Sequence, residues 1–195
     1  MKIISKYFNT VSFGYCYLCS RGSAGGDAAA EEESAEQAGS SPVLVRWDRR
    51  SKGISGHVLP AKGVDFDVAE SVVNLLVKEI EALGYRRVCF RSDNEPALLA
   101  LLRAVQQRVT CEVVLETASE GDPRSNGAAE MGVRLLKGLV RTQKDALESR
   151  LGKALPASHG LITWLVRYAS AVYCRYTVGR DGRTPHERLT GRRLM

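Results

Sequence analysis

Asp93, in the segment SDNEPA, and Glu130, in SNGAAE, are the residues of this chain best placed to do chemistry. Asp93 follows the short apolar run Val88-Cys89-Phe90, and Glu130 stands at the head of a long helical pattern. The 36 residues between them leave room for one helix and one strand. Such a layout can carry two acids from distant positions to one end of a sheet, where hard divalent cations take oxygen ligands. Two carboxylates are few for that task. A third is to be sought on the opening strand, and VSFGYCYL (11–18) holds none.

The elements that must position these acids are legible in outline. Residues 11–19 alternate around Phe13, Tyr15 and Tyr17 and read as a strand. VLVRW (43–47), the polar turn DRRSKG (48–53) and ISGHVLP (54–60) make a hairpin. Residues 66–83 form a helix with Val68, Val72, Leu76, Ile80 and Leu83 on one side, ended by Gly84. RRVCF (86–90) is a strand leading to Asp93, and Pro96 starts a helix built on Leu98, Leu99, Leu102 and Val105. EVVLE (112–116) is a strand, 127–150 a long helix, and 158–177 a last helix with Leu161, Leu165, Tyr168, Ala169, Val172 and Tyr176 inward. The economical assembly is an α/β fold, a mixed sheet covered by helices. Residues 20–41, rich in Gly, Ala and Glu, read as a flexible acidic insert within one domain spanning 1–195.

At about 100° per residue, Arg134, Lys137, Arg141 and Lys144 fall within about 40° of Glu130. Val133, Leu136, Val140 and Leu147 form a separate stripe about 60–120° away. The carboxylate therefore heads a basic ridge, while the neighbouring face packs inward. Such a ridge suits successive phosphates of a nucleic acid, and it equally suits plain solvation of an exposed face. Charge distribution favours the first. The net charge is +6, yet residues 122–195 alone carry fourteen basic and six acidic side chains. DNA or RNA is the natural partner of that region.

Other features bound the function. No run of 18 apolar residues is present, so a membrane partner is not expected. The five cysteines are odd in number and scattered, which favours a reducing, intracellular setting over a disulfide scaffold. Cys16 and Cys19 form a CxxC without a second pair, so they make no zinc set. His57 reads as structural, and Trp47 and Trp164 as core or interface anchors.

With SDNEPA, SNGAAE and GRTPHERLTG together, the chain resembles the integrase catalytic core of retroviruses and long-terminal-repeat retrotransposons, a ribonuclease-H-like fold. The resemblance covers roughly residues 8–193. It implies DNA integration by polynucleotidyl transfer, with Mg²⁺ or Mn²⁺ as cofactor, DNA as partner through its backbone, and a nuclear location where the DNA role is retained. It leaves homo-oligomerisation open. Asp93 matches the family's middle acid and Glu130 its last, so these are the expected catalytic and metal residues. Asn126 is a helix cap and nucleic-acid contact, beside Arg134, Lys137, Arg141 and Lys144.

The family's first acid, which bridges two cations, falls at Gly14. Glycine offers no side-chain oxygen, and two cations about 4 Å apart repel each other more strongly without that carboxylate. An impaired, DNA-binding core with weak or single-site metal binding is therefore expected. The alternatives are an active nuclease or transferase using a substitute acid, with Asp48 and Asp27 as candidates, or a non-enzymatic interaction domain.

Overall fold

The computed structural model describes residues 7–18, 41–64, 67, 69–117, 127–156 and 158–193. The greater part of the 20–41 insert lies outside them, as do Asp27, Cys19, Val68 and Asn126.

Alternation of apolar residues produces three opening strands, β1 (Asn9–Cys16), β2 (Val43–Asp48) and β3 (Ile54–Val58). A helix, α1 (Ala69–Ala82), leads to β4 (Arg87–Ser92), α2 (Pro96–Gln106) and β5 (Glu112–Thr117). The chain then turns wholly helical, through α3 (Gly127–Leu151), α4 (Gly160–Tyr176) and a short α5 (Pro185–Thr190). The five strands lie in the order β3-β2-β1-β4-β5. β1 runs antiparallel to β2 and parallel to β4, so β1 sits at the centre as its apolar character requires.

Strand alternation divides the core in two. Val11, Phe13 and Tyr15 of β1 point with Leu44 and Phe90 toward α1 and α2, where Leu76, Ile80 and Leu98 are buried. Phe13 meets Phe90 edge-on at 5.2 Å between ring centres. On the other face, Cys16, Val43, Val45 and Trp47 pack against Leu136 and Val140 of α3 and Leu165, Val166 and Ala169 of α4. The helices thus cover both faces of the sheet.

Three sequence expectations need correction. β1 ends at Cys16, with Tyr17 and Leu18 beyond the strand. α1 is shorter than the span 66–83. α4 is rotated: it buries Ile162, Leu165, Val166, Ala169 and Ser170, while Leu161, Tyr168 and Tyr176 are exposed. The cause lies in β3. A Cβ on Gly56 would stand only 2.5 Å from a methyl of Leu136 and 2.9 Å from one of Val166. That bare backbone draws the Val166 side of α4 inward, and no periodicity within the helix reports it.

Helix α5 was not anticipated, although its signals are in the sequence. Thr184 accepts from the Glu187 N–H at 3.1 Å while the Glu187 carboxylate accepts from the Thr184 N–H at 2.8 Å. Pro185 occupies the first turn, and Gly191 closes the helix at φ +70°. The motif RTPHERLTG is therefore a complete capping sequence.

Candidate active site

The site is built from the C-terminal ends of β1 and β4 and the first turn of α3. Parallel pairing sets Val11 beside Phe90 and Ser12 beside Arg91. The ladder ends there, two residues before Gly14 on β1 and two residues before Asp93 beyond β4. Asp93 and Glu95 both act electrostatically on the Tyr15 phenol, which burial holds above its ordinary pKa. Asp93 itself accepts from the Glu95 N–H at 3.3 Å, a turn that ends the strand and leads into Pro96.

Gly14 faces α3. A Cβ built on it would lie 3.7 Å from Ala129 Cβ and 3.7 Å from Val133 Cγ2, the residues that flank Glu130 around the first turn. Position 14 therefore stands between the strand end bearing Asp93 and the helix turn bearing Glu130. Its φ is not in the left-handed region, so the backbone there does not demand glycine. Glu130 is exposed and Asp93 half-buried, as open ligands to a hydrated ion would be.

Among the described residues no three His, Cys, Asp or Glu side chains come close enough to hold a metal ion. Asp93 and Glu130 thus do not fit a two-ion centre by themselves, and Gly14, at the position where the resemblance expects the first acid, adds no side-chain oxygen. Asp48 does not fill it. It pairs with Val11, three residues back along β1, and its side of β2 is that of Leu44, away from α3. It is fully buried, and its carboxylate accepts from Tyr85 Oη at 2.7 Å, the Ser51 N–H at 3.0 Å and the Arg50 N–H at 3.2 Å. Every one of these bonds is structural. Asp27 lies outside the described residues.

Two nearby groups escaped the sequence reading. Lys62 pairs with Glu95 at 2.9 Å and lies over the rings of Tyr15 and Tyr17 at 5.7 and 5.2 Å, so it stands beside the Asp93 turn. Nothing in its local sequence signals this, because the loop is folded there by the Gly63 N–H donating to Tyr15 Oη. Ser12, on the same face as Gly14, is buried and its Oγ has no hydrogen-bond partner among the described residues.

The basic ridge is not uniform. Arg134 and Arg141 are exposed, and Lys137 is half-buried. Lys144 is engaged: its Nζ bonds Glu148 Oε1 at 2.7 Å, and the same carboxylate accepts the Leu155 N–H, fastening the end of α3 to the following loop. Asn126, the expected cap of α3, lies outside the described residues.

The architecture is that of a retroviral integrase catalytic core, a ribonuclease-H-like α/β fold with a mixed five-stranded sheet. Among solved structures, the chain is similar to the catalytic core of BIV integrase at TM-score 0.57 and 15% identity, covering 94% of both chains. It is similar to the HTLV-2 integrase catalytic core, solved with magnesium in a trimeric form, at TM-score 0.60 and 12% identity, covering 93% and 95%. A chain of the simian T-cell lymphotropic virus intasome matches at TM-score 0.62 and 15% identity, over 96% of this chain and 56% of that one. No protein-family model matches the sequence. No curated protein matches it either. At such identities the likeness establishes the fold, and activity has to be argued from the residues.

Proposed function

We propose that this chain is an integrase-core-like protein that binds DNA through phosphate contacts and has lost most or all polynucleotidyl-transfer activity. The observation that carries the reading is Gly14: it faces the helix turn of Glu130, on the strand that pairs with the one leading to Asp93, where a bridging carboxylate is needed. Asp93 and Glu130 retain the positions of the outer metal ligands and hold at most one Mg²⁺ or Mn²⁺ weakly. A divalent pair in such a centre would activate the attacking oxygen and neutralise charge on the phosphoryl group. This chain's own residues supply only part of the cradle.

DNA contact falls to Arg134, Lys137 and Arg141 on α3, with Asn126 at the helix start, because the ridge leads away from the same turn as Glu130. Lys144 contributes less, since its charge is already spent on Glu148. Binding of this kind is independent of sequence and steeply salt-dependent. A nuclear location follows if the DNA role is exercised. The insert at 20–41 and the rest of the chain then belong to one integrase-core-like domain.

Strand-cleavage assays on a blunt duplex test the catalytic part. The unaltered chain should show little or no Mg²⁺-dependent cleavage, and Gly14→Asp should raise it. Robust cleavage by the unaltered chain that Asp93→Asn abolishes would mean that a substitute acid completes the site. Salt titrations of duplex binding test the other part. Neutralising Arg134, Lys137 and Arg141 together should weaken binding and reduce the log–log salt slope by up to about three. Unchanged binding would remove the ridge from the function.

A further inference from the structure

The end of the sheet opposite the candidate active site gathers exposed positive charge. Arg188 of α5 donates from Nη1 to the Ser51 carbonyl at 3.1 Å, while its Nε donates to Asp181 at 2.9 Å. One guanidinium therefore holds the β2–β3 turn (49–53) against the turn at 179–183, which the Gly179 N–H closes by donating to the Arg183 carbonyl. Residues 49–53 and 179–193 carry eight basic side chains and two acidic ones. Both acids are committed: Asp181 to Arg188, and Glu187 to the cap of α5 and to Arg193 at 3.6 Å. Arg49, Lys52, Arg180, Arg183 and Arg192 are exposed, and none of them pairs with a carboxylate among the described residues. The Arg49 N–H bonds the Thr10 carbonyl near the start of β1, whereas Gly14 lies toward its end.

Lys52 adds an independent sign of use. Its φ is +63°, and it alone among the described non-glycine residues stands in the left-handed region. Glycine is the residue such a position favours. A lysine held there, on an exposed turn, points to a task for its side chain. Asp48 enforces the conformation, accepting the Lys52 N–H on its carbonyl and the Arg50 and Ser51 N–H groups on its carboxylate. The turn thus presents its cations on a firm backbone.

The chemistry of the patch selects its occupant. Residues 49–53, 179–183 and 191–193 contain no apolar side chain. A protein partner draws most of its affinity from an apolar centre, which these segments do not offer. The phosphodiester backbone of a duplex asks only for spaced cations on a rigid support. We infer that this end of the fold is a second backbone-binding site for duplex nucleic acid, independent of the α3 ridge. The inference shares a nucleic-acid partner with the proposed function but none of its residues.

Anisotropy of a labelled short duplex, read at several salt concentrations on the full chain, tests it. With Arg134, Lys137 and Arg141 changed to Gln, weakened but measurable binding should remain. Adding Arg49→Gln, Lys52→Gly, Arg180→Gln and Arg183→Gln should lower that affinity about tenfold or more and the log–log salt slope by up to about four. Lys52→Gly alone should weaken the residual binding without lowering the melting temperature, which separates loss of charge from loss of fold.

Duplex binding wholly lost on neutralising the ridge overturns the inference and leaves the proposed function standing. Residual binding that the four patch changes do not alter overturns it as well. So does a salt-sensitive dimer in sedimentation velocity that those changes dissolve while duplex affinity stays constant, since a second copy then covers the patch. Duplex binding that ignores the ridge and fails with the patch removes the ridge from the proposed function and keeps this inference.

Discussion

At the scale of a single residue, the proposed loss of activity rests on position 14. At Gly14 the backbone is ordinary strand, and the nearest obstacles to a Cβ are methyl-bearing groups at van der Waals distance. Gly14→Asp should therefore fold, and its new carboxylate should repel Asp93 and Glu130 until a cation is added. The expected result is a melting temperature at or below that of the unaltered chain without metal. Millimolar Mg²⁺ or Mn²⁺ should then raise it by more than in the unaltered chain, because a ligand that binds only the native state stabilises it. Equal metal-induced shifts in the two proteins would count against position 14 as a ligand position. Asp48 illustrates the opposite case, an acid committed to structure. Four hydrogen-bond donors converge on its carboxylate, from Arg50 N, Ser51 N, Ser51 Oγ and Tyr85 Oη. Asp48→Asn replaces one acceptor oxygen by an NH₂ that faces donors. It should cost about 2–3 kcal/mol, seen as a lower urea midpoint with an unchanged slope.

At the scale of elements, helix α1 is pinned to the β2–β3 hairpin by one half-buried carboxylate. Glu79 accepts from His57 Nε2 at 2.8 Å, Ser55 Oγ at 2.8 Å and Arg46 Nε at 3.1 Å. Burial alone would raise its pKa, but the His57 hydrogen bond and the Arg46 charge outweigh that and bring it from the ordinary 4.5 to about 2. A carboxyl depressed in the folded state adds stability that is present above about pH 4.5 and is lost as the pH falls toward about 2. Glu79→Gln should accordingly be less stable than the unaltered chain at neutral pH, and the gap should narrow across that window on acidification. Denaturation midpoints measured at several pH values would reveal it, and a gap of constant size would contradict the assignment. The end of α3 carries a second such clasp. Because Lys144 holds the buried Glu148 carboxylate, Lys144→Gln should lower the melting temperature by several degrees. Arg134→Gln, at an exposed position, should leave it nearly unchanged.

For the molecule as a whole, the C-terminal segment ties the last helices to the opening hairpin. Arg188 of α5 forks onto Asp181 and donates from Nη1 to the Ser51 carbonyl at 3.1 Å. Its guanidinium lies over Gly179, where any side chain would displace it. Nearby, Cys174 Sγ exchanges hydrogen bonds with the Ile54 backbone at 3.2–3.3 Å. These contacts join positions more than a hundred residues apart. Arg188→Ala should lower the melting temperature by several degrees and loosen the β2–β3 turn. Faster amide exchange at residues 51–54 would report the loosening, and Arg188→Lys, which cannot fork, should not restore it. Unaltered exchange there would show that α5 docks without this residue.

Composition and periodicity alone determined the element order apart from α5, the alternation of β1, and the placing of Asp93 at a strand end and Glu130 at a helix start. These depend on local alternation and on punctuation by Gly and Pro, which neighbouring residues carry themselves. The exposure of Tyr168 was left to tertiary structure, because the rotation of α4 is set by the space above Gly56, far away in sequence. So was the commitment of Asp48, which its pairing with Val11, three residues back from Gly14, and the distant Tyr85 hydroxyl decide. Lys144 likewise read as part of a basic ridge until the 152–156 loop folded back on Glu148. Gly14 needed both: the sequence has glycine where the resemblance expects an acid, and only packing against Ala129 and Val133 placed that position beside the turn of Glu130.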